Sequence, residues 1–63
     1  MITIRILKIG HKPLIAHVKN DADCKMWLKL FSGDFDAVEI KHEKKKDILR
    51  FESKYKLSQW MHQ

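Results

Sequence analysis

The residues with the strongest intrinsic chemistry are four histidines and one cysteine, and His11, His17, Cys24 and His42 are all types that ligate transition metals. Their spacing argues against a metal centre: there is no Cys-x-x-Cys knuckle and no pair of histidines one helical turn apart. A Cys24 nucleophile served by a histidine base is disfavoured for another reason. A reactive thiolate needs an exposed electropositive setting, whereas Cys24 falls on an apolar helix face. Asp34 and Asp36 followed by Glu39-Ile40-Lys41 have the composition of a nuclease centre, in which carboxylates hold a divalent ion and a lysine sits beside the attacking water. The aspartates lie only three to five residues before Glu39 and no flanking helices exist to build a cleft, so alternating surface charge explains the string better. No enzyme and no cofactor is expected.

A basic cluster remains. Lys44, Lys45 and Lys46 are consecutive, while Arg50, Lys54 and Lys56 recur with the period of one face of a strand. Such a stripe suits contact with phosphates through flexible point charges more than reading of bases. Glu39, Glu43 and Glu52 interrupt it, and lysine-rich hairpin tips are also a common defence against edge-to-edge aggregation.

These residues must be positioned by a small scaffold. With 63 residues, one α+β domain spanning 1-63 is expected, and a chain of that size has a thin core. Thirteen Lys and Arg against eight Asp and Glu give a formal charge of +5, which favours acidic or polyanionic partners. A single cysteine excludes an internal disulfide and suits a reducing compartment. Arg5 and Lys8 within the apolar start argue against a signal peptide, and no apolar run approaches a membrane span, so a cytoplasmic protein without membrane contact is expected.

Alternation of Ile2, Ile4 and Ile6 with Thr3 and Arg5 predicts a first strand to Ile9, and Leu14, Ala16 and Val18 predict a second, across a loop at Gly10 to Pro13. Asn20 and Asp21 offer a helix cap, Cys24, Trp27, Leu28 and Phe31 share one helical face, and Ser32-Gly33 offers a stop. Lys25 and Lys29 take the opposite side of that helix. A third strand is expected from Phe35 to His42 and, after a polar turn at Glu43 to Asp47, a fourth from Leu49 to Leu57. The tail from Ser58 either forms a short helix, capped by Ser58, or frays. The predicted order is ββαββ, two β-hairpins joined by one helix over one face of a four-stranded sheet.

If the inner face holds Ile2, Ile4 and Ile6, then Leu7, Ile9 and Ile15 turn to the other face, which is uncovered unless Trp60 and Met61 fold across it. Contiguous exposed aliphatics usually mark an interface, and a homodimer through the first hairpin is one way to cover them. The order strand, Gly10, strand, helix, then Gly33-Asp34 and Val38-Glu39-Ile40 resembles the swapped-hairpin DNA-binding domains of AbrB-type regulators and antitoxins over most of the chain. It departs from them at His11-Lys12, where that family shows Asn-Ser, in lacking a proline after strand two, and in the spacing of Gly33-Asp34 from Val38. No residue role is carried over from it. Two functions therefore stand: a non-enzymatic inhibitor or adaptor, of a size phages and mobile elements encode, docking on a partner protein through Leu7, Ile9 and Ile15 or through the basic hairpin; or a dimeric nucleic-acid-binding regulator using Lys44, Lys45, Lys46, Arg50, Lys54 and Lys56.

Overall fold

The period-two isoleucines at the start of the chain form β1 (Ile2–Leu7), and Ile2, Ile4 and Ile6 are all buried. The computed structural model describes residues 1–31 and 33–62. β1 pairs antiparallel on one side with β2 (Leu14–Val18), placing Ile4 opposite Ala16, and on the other with β3 (Ala37–His42), placing Ile4 opposite Ile40. β4 (Ile48–Phe51) closes a second hairpin on β3, and the sheet runs β2-β1-β3-β4. Gly10 turns the first hairpin with a φ of +83°, a conformation that suits glycine because it has no Cβ.

Since β2 and β3 are both antiparallel to β1, they are parallel to each other and need a crossover. Helix α1 (Asp21–Leu30) supplies it, lying over the inner face of the sheet. Asn20 caps α1, its side-chain oxygen accepting from the Asp23 N–H at 2.8 Å, and Asp21 and Asp23 fill the first turn, where the helix dipole favours negative charge. The helix stops at Phe31, whose extended backbone still donates to the carbonyls of Trp27 and Leu28. Ser32, half of the expected Ser32-Gly33 stop, lies outside the described residues.

The expected fourth strand is overturned in its second half. β4 ends at Phe51, and Lys54–Met61 form a second helix, α2, capped by Ser53, whose Oγ accepts from the Lys56 N–H at 3.1 Å. Leu57, Trp60 and Met61 stand three and four residues apart, so a helix brings all three to the core. A strand through the same segment would separate Trp60 from Leu57 and Met61. The cap of the tail helix is therefore Ser53 and not Ser58. The first strand ends at Leu7 and not Ile9, because the Ile9 N–H turns away to Asp36 Oδ2 at 2.6 Å; the third starts at Ala37 and not Phe35. Lys25 does not take the solvent side of α1: its ammonium sits over the Trp60 ring, 5.2 Å from the centroid.

The main core cluster lies between the inner sheet face and the two helices. Ile2, Ile4, Ile6, Val38 and Ile40 from the sheet meet Cys24 and Leu28 of α1 and Leu57 of α2. Trp27 stacks on Phe31, with centroids 5.7 Å apart, and Phe51 meets Trp60 at 5.6 Å, closing the two flanks. Trp60 and Met61 thus pack on the inner side, and the tail does not cross the outer face.

Candidate protein-binding surface

Alternation and register fix what the outer face presents. One row across the four strands reads Ile15, Arg5, Glu39, Arg50, and the next reads His17, Thr3, Lys41, Ile48. Glu39 sits between two arginines, with Arg5 Nη1 at 3.3 Å from one carboxylate oxygen and Arg50 Nη1 at 2.8 Å from the other. Arg50 also reaches Glu52 at 3.4 Å, and these acids hold its guanidinium above its ordinary pKa, with the Glu39 hydrogen bond the largest cause. The His17 ring lies 3.2 Å from the Thr3 hydroxyl. Most of this face is a hydrogen-bonded polar lattice that needs no cover.

The nine residues singled out in the sequence distribute unevenly on this frame. Leu7 and Ile15 do face outward at the turn end of the first hairpin, with Ile15 exposed. Ile9 is 88% exposed but lies in the turn, beyond the paired strands that would align it with them. Lys44, Lys45 and Lys46 are exposed in the β3–β4 loop. Arg50 is on the outer face, as alternation requires, but is committed to Glu39 and Glu52. Lys54 and Lys56 ride on α2 and not on a strand. Lys54 pairs with Asp34 at 2.7 Å and, through that hydrogen bond above all, lowers the Asp34 carboxyl below its ordinary pKa. The basic stripe drawn from sequence is therefore not one face.

Aromatic placement adds to this. Of six aromatic side chains, Trp27, Phe31, Phe35, Phe51 and Trp60 pack against the core and Tyr55 alone is strongly exposed. A sheet that stacks bases needs aromatics on its open face, and this sheet has none there.

The sequence reading missed the edge formed by β2. On its outer side β2 has no strand partner among the described residues, so its backbone N–H and C=O groups on that side have no ladder to join. Beside it, Val18 and the α1 residues Met26, Trp27 and Leu30 line a shallow depression together with His17, Lys19 and Asp23. Leu30 is 78% exposed and Met26 61%. Leu14, on the same inner side of β2 as Val18, is 47% exposed. A signal was present in the sequence: Pro13 to Val18 is a run of six residues without Lys, Arg, Asp or Glu in a chain that is one-third charged.

Cys24 is buried, and burial above all, with Asp21 adding to it, pushes its thiol up to about 11. Among the described residues no three His, Cys, Asp or Glu side chains converge as a metal site would require. Likewise, no described helix is long and apolar enough to cross a membrane. Comparison of the chain with family models, with curated proteins and with solved structures gave no match.

Proposed function

We propose that this chain is a small non-catalytic binding protein that docks on a partner protein through the edge of its first hairpin. The observation that carries the reading is the free edge of β2, a strand without Lys, Arg, Asp or Glu that carries exposed Leu14 and Ile15 and lies beside exposed Met26 and Leu30 of α1. An extended segment laid along β2 would complete the ladder with main-chain hydrogen bonds, and the depression beside Val18 would take an apolar side chain. The sheet edge thus supplies affinity, and the pocket supplies selectivity. An inhibitor or adaptor role fits such a surface, since it requires a rigid edge and no reaction chemistry.

A nucleic-acid role would rest on Lys44, Lys45 and Lys46 in the β3–β4 loop, since Arg50 and Lys54 are engaged by acids. One set of assays separates the two. Immobilised protein is expected to retain a specific protein from nuclease-treated lysate, to lose it on Leu14→Lys, and to keep it when Lys44, Lys45 and Lys46 are replaced by Gln. Binding of arbitrary duplex DNA at low salt, with a steep log-log salt slope and loss in the triple-Gln variant, would overturn the proposal in favour of phosphate contact.

A further inference from the structure

The β2 edge has a property that an arbitrary partner would not need: it is complementary to itself. We infer that two copies of this chain associate edge to edge through β2, antiparallel and centred on Ala16, giving a continuous eight-stranded sheet. This deepens the docking proposal by naming a second copy as the occupant of the edge, and it rests on the same surface.

Three features carry it. A twofold axis through Ala16 uses the whole five-residue strand, setting Leu14 of one copy opposite Val18 of the other and Ile15 opposite His17. Leu14 and Val18 both face the helix side, so this register delivers each half-exposed Leu14 to the depression that Val18, Met26, Trp27 and Leu30 of the second copy help to line. The two depressions are filled by the two leucines, as an isologous interface requires.

Charge follows the same register. Copies bearing +5 each repel, and the stretch Pro13 to Val18 is free of Lys, Arg, Asp and Glu, so the seam itself adds no like-charge contact. Continued outward, the register sets Lys12 opposite Asn20, between Lys19 at the end of β2 and Asp21 at the start of α1. The exposed turn residues His11 and Lys12 of one copy would then approach the start of α1 of the other, where Asp21, 3.0 Å from the His42 ring, and Asp23 are exposed, twice by symmetry. The opposite edge lacks these features, since β4 is shorter and is bracketed by Lys44, Lys45, Lys46, Asp47 and Glu52. A charge within the strand is a usual protection of a free edge, and β4 carries Arg50 whereas β2 carries no Lys, Arg, Asp or Glu.

Two measurements on the full chain test the inference together. Sedimentation equilibrium is expected to show a reversible dimer of twice 7.6 kDa, with Leu14→Lys weakening it by about a hundredfold as two leucine contacts are lost. Leu14 is outside the buried cluster, so circular dichroism should report an unchanged fold for that variant. Register is read by mixing Ile15→Cys with His17→Cys under oxidation. The mixture should give a mixed disulfide more rapidly than either variant alone, because these residues oppose each other only across this seam, and buried Cys24 should leave the wild-type chain uncrosslinked. A monomer at millimolar concentration, or a dimer without the mixed disulfide, overturns the inference. If the chain is monomeric but still retains a different protein in a Leu14-dependent way, self-pairing fails and the docking proposal survives.

Discussion

Tyr55 and Leu57 show how much of this molecule is decided by single side chains. Both would point inward if the fourth strand continued to Leu57, whereas on α2 Leu57 is 5% exposed and Tyr55 71%. Leu57→Ala should therefore destabilise the protein by about 2–5 kcal/mol, and Tyr55→Ala by less than about 0.5 kcal/mol, in urea unfolding. Equal costs for the two would return the segment to the strand. Cys24 makes a second prediction at this scale. Its folded-state thiol stays protonated up to about 11, while the unfolded chain releases the proton near 9.0, so the unfolded state binds fewer protons between those values. Stability should fall as pH rises through that window. Denaturant midpoints measured below pH 9 and near pH 11 should show a smaller fall in Cys24→Ala than in the native chain.

At the scale of elements, both helices begin on a side-chain cap, Asn20 for α1 and Ser53 for α2. Replacing either with alanine should cost about 1 kcal/mol by thermal or urea unfolding. The loss at Ser53 should coincide with exposure of Trp60, read by its fluorescence, because α2 holds that ring on Phe51. A Ser53→Ala variant with unchanged stability would contradict the cap.

Which elements were legible in the sequence follows from the same physics. α1 has a cap, acidic first turn and a face of four apolar residues, all in agreement; β1 and β3 have β-branched residues at period two, and β2 alternates Leu14, Ala16 and Val18 on one face. Residues 49–57 satisfied a period of two only by passing over Ser53, the residue that starts the helix. Over so short a stretch the two periods share Leu57, and the cap with Trp60 and Met61 decides between them. The candidate site was legible only in part. Outward-facing Leu7 and Ile15 follow from alternation, but the edge position of β2 depends on β1 pairing with β3, a contact between residues as far apart in sequence as Ile2 and His42 that no local pattern encodes. The run from Pro13 to Val18 shows an absence of charge; its meaning as an interface appears only once the strand order is known.

For the whole molecule, the excess of positive charge is dispersed and does not form one field. Arg5 and Arg50 are held by Glu39, Lys54 by Asp34, and Lys25 lies over Trp60, which leaves Lys44, Lys45 and Lys46 as one local cluster. The net charge then acts chiefly as general repulsion between copies, and the proposed contact falls on the one strand without Lys or Arg. Amide exchange and chemical shifts of the intact chain, followed by NMR from micromolar to millimolar concentration, test this account most directly. Slowed exchange and shift changes confined to Leu14–Val18, Met26 and Leu30 are predicted as concentration rises. Changes centred on Lys44, Lys45 and Lys46, or an edge whose amides exchange freely at every concentration with and without a captured partner, would contradict it.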